Sequence, residues 1–164
     1  MSERIKLGKI KNGKLKNFSD SITWDFDYTL LVFIRDGLKR FKELKTGIPA
    51  HLCYKYEQLD VEDPDAAAAQ EYDSILDTII SNIEYYQSTD MDLLSPADKK
   101  LYHDYLATYH TEKDEKGFYR VQFAEETEDI KRIKKELEEI NIKQKQKIDE
   151  AFDLLKENLC TFWW

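Results

Sequence analysis

The chain has 164 residues, 41% of them apolar and 35% charged, and a net charge of −8. That length suffices for a domain with a real core, while five Gly and three Pro punctuate too rarely for a sandwich or barrel of many short strands. Two cysteines, Cys53 and Cys160, make no metal or disulfide framework, and the longest apolar run, Leu30 to Ile34, is far too short for a signal peptide or a membrane span, so an intracellular protein is expected.

Residues 1–17 form a basic arm punctuated by Ile5, Leu7, Ile10 and Leu15. Asn12-Gly13 is the pair that a type I′ turn favours, because both central positions take positive φ. A short hairpin and an unpaired arm both fit this stretch. Ser19, Asp20, Ser21 and Thr23 then offer cap oxygens to a helix. From Trp24 onward, Tyr28, Leu31, Leu38 and Phe41 follow helical spacing, and Phe26, Leu30, Phe33 and Ile34 populate the neighbouring face. A helix apolar on two sides is expected to be central. Lys39, Arg40, Lys42 and Lys45 suit the negative end of its dipole, and Gly47 followed by Pro49 reads as its stop.

Residues 50–63 read as a connector. Asp63-Pro64 opens the next helix, with Asp as cap and Pro in the first turn, and Ala66–Ala69 add propensity. Tyr72, Ile75, Leu76, Ile79, Ile80, Ile83 and Tyr86 make the clearest amphipathic stripe in the chain. Ser95-Pro96 opens a third helix carrying Leu101, Tyr102, Tyr105, Leu106 and Tyr109. Residues 111–120, charged and containing Gly117, read as a loop. A long helix is expected from about Ala124 to Leu159. Its seam of Ile130, Ile133, Leu137, Ile140, Ile148, Phe152, Leu155 and Leu159 approximates a heptad pattern. The seam falters at Asn141–Lys147, where Gln144 takes a core-like position; a bend and a projection into solvent both explain this. Trp163 and Trp164 are expected to dock on a core or a second subunit.

Three constellations carry candidate chemistry. Asp25-Phe26-Asp27-Tyr28-Thr29-Leu30 resembles the Asp-x-Asp-x-Thr-Leu opening of haloacid-dehalogenase-type phosphatases, in which the first Asp attacks phosphorus and the second handles the proton. No apolar strand signal runs into Asp25, and Tyr28 stands where Gly is usual. The competing reading is a helix start with Asp25 and Asp27 against the dipole. Asp73, Asp77 and Glu84 share one side of the second helix; carboxylates so arranged can hold a metal if other helices add ligands. No Glu-x-x-His accompanies them, and His51, His103 and His110 show no ligand spacing, so a solvated face is expected. Finally, Trp24 and Tyr28 precede Arg35, Lys39, Lys42 and Lys45, an order in which rings can stack a base while cations meet phosphates. Core aromatics followed by ordinary lysines explain the same residues. No Gly-rich phosphate loop, catalytic triad or zinc pattern occurs.

Phe18-Ser19-Asp20, Trp24-x-x-Asp27-Tyr28-Thr29-Leu30, Leu38-Lys39-x-Phe41-Lys42-Glu43 and Gly47-x-Pro49 together resemble a widespread family of small phage-encoded proteins. The blocks resume at Tyr72-Asp73-x-Ile75-Leu76-Asp77, Glu84-Tyr85 and Ala151-Phe152-x-Leu154-Leu155-Lys156, and end at Phe162-Trp163. The chain departs from the pattern at Asp36-Gly37, where Pro-Arg is favoured, and at Asn158-Leu159. The resemblance implies a phage protein acting in the cytoplasm of an infected bacterium, and by analogy one that counters host defence.

The charge is uneven. Residues 1–57 hold 12 Lys/Arg against 7 Asp/Glu, and residues 58–164 hold 13 against 26. The asymmetry can steer a partner or pair neighbouring subunits, whereas duplex nucleic acid is not expected to bind. The sequence thus predicts a mainly α fold: a basic arm or hairpin over 1–17, then a helical domain over 18–164 with about four helices packed around the Trp24–Leu44 helix. The expected function is non-enzymatic sequestration of a nucleotide-derived immune signal by Trp24, Asp27, Tyr28, Arg35, Lys39 and Lys42, without cofactor or metal, in a homo-oligomer. The alternatives are inhibition of a host defence protein through an acidic helical surface, and a dehalogenase-like phosphatase.

Overall fold

A computed structural model describes residues 25–59 and 61–162, together with two short strands near the N-terminus. The protein is mainly α-helical. Its elements run β1 (Lys9–Lys11), β2 (Lys14–Lys16), α1 (Phe26–Leu44), α2 (Ala50–Gln58), α3 (Pro64–Gln87), the single turn α4 (Asp90–Leu93), α5 (Pro96–Leu106), β3 (His110–Lys113), β4 (Tyr119–Gln122) and α6 (Glu128–Asn158), ending in a 3₁₀ turn at Leu159–Thr161. Contacts divide the chain into two compact units, Met1–Gly47 and Ile48–Trp163.

In the first unit β1 and β2 pair antiparallel, with Ile10 opposite Leu15 and Lys11 opposite Lys14. The hairpin is thus the alternative realised; Asn12 and Gly13, expected as its turn, lie outside the described residues. The proposed caps Ser19 to Thr23, and Trp24, lie outside the described residues. The helix α1 starts at Phe26 with Asp25 as N-cap, whose side chain makes no capping bond. It ends at Leu44 with extended backbone at Lys45. Gly47 stands two residues further on and does not take the left-handed conformation, which among the described glycines belongs to Gly117.

The two apolar sides of α1 differ in burial. Leu31 and Leu38 are buried, but Phe26 is 51% and Phe33 55% exposed, and Leu30 and Leu44 are exposed with them. At about 100° per residue, these four lie on the side of the helix away from Leu31 and Leu38. The helix buries Leu31 and Leu38 on one side and Thr29 on the opposite side, while the apolar stripe of Phe26, Leu30, Phe33 and Leu44 is exposed.

In the second unit the main interface joins α3 to α6. Tyr72, Leu76, Ile79, Ile80 and Ile83 of α3 are buried, with Ile130, Ile133, Ile140 and Ala151 of α6. The start of α3 is capped as its sequence predicts, Asp63 accepting from the Ala66 N–H at 2.9 Å ahead of Pro64. Ser95 likewise caps α5 by accepting from the Asp98 N–H at 3.1 Å. The stretch read as a connector contains a helix, α2, which packs on α3 through the buried Leu52. A second cluster joins Leu94 and Tyr105 to Ile130, Ile133 and Ile140, with Met91, Leu93, Tyr102 and Leu137 around it.

The faltering seam of α6 has a local explanation. The helix runs unbroken through Gln144, which is buried. Its Nε2 donates to the carbonyls of Ser88 at 2.7 Å and Tyr85 at 3.4 Å. A helix C-terminus leaves carbonyls without intrahelical donors, and the Gln144 amide supplies one to α3. Farther along the same interface, Asn82 donates to Glu150 at 2.9 Å. The apolar positions Phe152 and Leu159 of the expected seam are exposed. Phe162 is half-buried; Trp163 and Trp164 lie outside the described residues.

The segment read as a loop forms a hairpin. Thr111 pairs with Val121 and Glu112 with Arg120. The Asp114 carboxylate accepts from the N–H groups of Lys116 and Phe118, both at 2.9 Å, and Gly117 takes φ +85°. The hairpin base is anchored by Phe123 stacking on Tyr105 at 5.4 Å between centroids, and by the Ala124 N–H donating to Thr108 Oγ1 at 3.0 Å.

Candidate functional site

The proposed binding residues, Trp24 apart, all stand on α1. Asp27 lies in its first turn and is exposed. Tyr28, Arg35, Lys39 and Lys42 follow at offsets of 7, 11 and 14, which a 3.6-residue period gathers into an arc of about 60°. They make a ridge about 21 Å long, with the ring at its N-terminal end and the cations after it. The Tyr28 side chain is 53% exposed. Asp27 sits about 100° around the helix from it and is not part of the ridge line.

The ridge is not uniformly open. Arg35 is half-buried, and its Nε donates to Asp36 at 2.8 Å. That bond, with the charges of Arg35 and Lys39, holds the Asp36 carboxyl below its usual range against a smaller opposing effect of burial. Lys39 is exposed and Lys42 half-buried. On the outward side Arg40 pairs with Glu43 at 2.6 Å, beside the apolar stripe of Phe26, Leu30, Phe33 and Leu44. The helix therefore carries two distinct surfaces: a tyrosine-and-cation ridge next to its buried side, and an apolar stripe across from it.

The phosphatase-like pair takes the position of a helix start. Asp25 is the N-cap and Asp27 follows in the first turn, where carboxylates meet the positive end of the dipole. Of the acidic set on α3, Asp73 is half-buried while Asp77 and Glu84 are exposed. No group of three or more His, Cys, Asp or Glu among the described residues is placed to hold a metal ion. His51, His103 and His110 are exposed and far apart in the chain.

The acidity of the second unit has an address that the halves alone did not give. The helix α6 carries nine carboxylates and eight cations, many in i,i+3 and i,i+4 pairs such as Lys131–Glu128 at 2.7 Å and Lys147–Glu150 at 3.0 Å. By contrast α3 carries five carboxylates and no Lys or Arg. Lys55 of α2 reaches Glu71 at 2.6 Å; its hydrogen bond lowers the Glu71 pKa, with burial opposing. Among the described long helices α3 is thus the acidic one, and α6 is nearly balanced in charge.

One surface escaped the sequence reading altogether. In the β3–β4 hairpin the side chains of Tyr119 and Val121 are 71% and 58% exposed, and Tyr109 and Phe118 beside them are exposed too. The alternation Tyr119, Val121, Phe123 was a legible strand signal, masked by the surrounding charges. A shallow cavity next to its turn is lined by Glu112, Lys113, Asp114, Lys116 and Arg120, cations and carboxylates in near balance. No helix among the described residues is long and apolar enough to cross a membrane. Compared with family models, curated proteins and solved structures, the chain matches none.

Proposed function

We propose that this chain is a non-catalytic anti-defence protein of phage type, which sequesters a nucleotide-derived signal on the ridge of α1. The observation that carries the reading is the alignment of Tyr28, Arg35, Lys39 and Lys42 on one side of a single helix. A ring followed by three cations offers a base a stacking face and offers phosphates charge partners along the same line. Stacking and ion pairing hold a ligand without breaking a bond, so the ligand is released intact.

Two measurements test this. Protein purified from defence-active bacterial cells is heat-denatured, and the supernatant is analysed by mass spectrometry for intact nucleotides. In parallel, cyclic mono- and dinucleotides are screened for stabilisation of the folded chain, as a ligand of the native state must give. A Lys39→Ala, Lys42→Ala double variant should keep its circular dichroism and lose about tenfold or more in affinity. Absence of released nucleotide together with absence of any thermal shift overturns the reading.

A second reading is favoured by the outward stripe of Phe26, Leu30, Phe33 and Leu44. An amphipathic helix that offers i, i+4 and i+7 apolar anchors fits the groove of a protein partner, here a host defence protein. Phe33→Asp would abolish such capture and leave nucleotide retention unchanged, whereas the lysine variants would do the reverse.

A further inference from the structure

All eight strand residues of the β3–β4 hairpin are exposed. Its register places His110, Glu112, Arg120 and Gln122 on one side and Thr111, Lys113, Tyr119 and Val121 on the other. The polar side is tied within itself: Gln122 donates to Glu112 at 2.8 Å, and His110 lies 3.9 Å from the same carboxylate. The turn shows which way the backbone groups point. Asp114 N–H donates to the Phe118 carbonyl at 2.8 Å, so residue 114 directs its groups toward β4. Alternation then turns those of Glu112 and His110 inward, and those of Thr111 and Lys113 outward. Beyond that outer edge β3 has no second strand neighbour among the described residues.

We infer that this edge pairs with the same edge of a second copy of the chain, antiparallel about Thr111, so that two hairpins make one four-stranded sheet in the order β4, β3, β3, β4. Outward groups must meet outward groups, so the centre of pairing falls at His110, Thr111 or Glu112. Centring on Thr111 sets His110 against the partner's Glu112, and Glu112 against the partner's His110. Both are non-hydrogen-bonded pairs, in which side chains approach most closely. Centring on Glu112 sets two carboxylates directly opposite, and like charges so placed destabilise a ladder; centring on His110 leaves Glu112 without an imidazole opposite it. The edge therefore sets an imidazole N–H donor against a carboxylate acceptor, twice, in a single register, the self-complementarity that a two-fold isologous contact requires. The same register brings Tyr109 opposite the partner's Lys113 and joins the Tyr119 and Val121 sides into one continuous face. Strands of four residues bury little area, so the dimer belongs among weak, concentration-dependent contacts.

The test is sedimentation equilibrium of the full chain across a concentration series, with crosslinking to fix the register. Thr111→Pro removes an outward N–H that the hairpin does not use, and should weaken self-association about tenfold or more with unchanged circular dichroism. In a Cys53→Ser, Cys160→Ser background, Thr111→Cys places the two thiols on directly opposed residues, about 5.5 Å apart between Cα atoms. It should form an intermolecular disulfide under mild oxidation, whereas Glu112→Cys should not. A chain that stays monomeric at all concentrations, a dimer indifferent to Thr111→Pro, or faster crosslinking at 112 than at 111 each overturns the proposal. If Thr111→Pro disturbs the hairpin itself, the crosslinking pair decides.

Discussion

At Gln144 a polar side chain occupies a core position, and its amide bonds the last carbonyls of α3. Replacing it by Leu keeps the volume and removes the donor, leaving buried carbonyls with one partner fewer. We expect Gln144→Leu to cost about 1–2 kcal/mol, read as a lower melting temperature, and to speed hydrogen exchange in the last turn of α3. Ile133 works through packing alone. It is fully buried in the cluster with Leu94, Tyr105, Ile130 and Ile140, and Ile133→Ala should cost about 2–5 kcal/mol by denaturant unfolding. At Gly117 the constraint is backbone conformation. An added Cβ would meet only the Lys113 side chain at 3.7 Å, an ordinary contact, so the penalty comes from φ +85° itself. Gly117→Ala should destabilise the hairpin by about 1 kcal/mol, visible as lost cross-strand signals by NMR while the helical spectrum persists.

At the scale of elements, α3, α5 and α6 were legible, because period 3.6 and the caps Asp63 and Ser95 agree with one another. The helix α2 was not: it lacks a side-chain cap and follows Pro49, and its one buried anchor, Leu52, is too little periodicity to see. The second hairpin was hidden because Glu112, Lys113, Asp114, Glu115 and Lys116 form a charge run, which reads as loop until Asp114 and Gly117 are recognised as turn residues. The ridge on α1 was legible as a spacing. The exposure of Phe26 and Phe33 was not, since a sequence shows that a face is apolar without showing whether anything covers it. A consequence is testable on that element: Phe33→Ser should change stability by less than about 0.5 kcal/mol, as for exposed sites generally, whereas Leu38→Ala on the buried stripe should cost about 2–5 kcal/mol.

For the whole molecule, acid should act on the second unit through carboxylates whose pKa values are lowered, Glu71 and Glu150 and three more around α4 to α6. Asp92, Asp98 and Glu126 all have lowered pKa values, chiefly from hydrogen bonds with Lys99, Arg132 and Lys134 respectively. The contacts of Asp98 and Glu126 tie α5 and the approach to α6 onto α6 itself; Asp92 and Lys99 link α4 to α5. A carboxylate with a depressed folded-state pKa contributes stability above its unfolded value and loses it as pH falls through the folded one. The melting temperature should therefore hold from neutral pH to about pH 5 and decline below about pH 4, moderately, since these pairs are open to solvent. Arg132→Gln should flatten that decline when melting is followed across the pH series.

The cation-free composition of α3 extends on both sides of the helix, and from Tyr56 to Asp98 the chain contains no Lys or Arg. Trypsin therefore has no peptide bond to cut anywhere in that span, folded or unfolded. Resistance there would report composition and not protection. Limited proteolysis becomes informative elsewhere: Lys113, Lys116 and Arg120 put three cleavage points into an exposed hairpin, so the first cut should separate the α2–α5 segment from α6, and a glutamate-specific protease is the reagent that can report on α3.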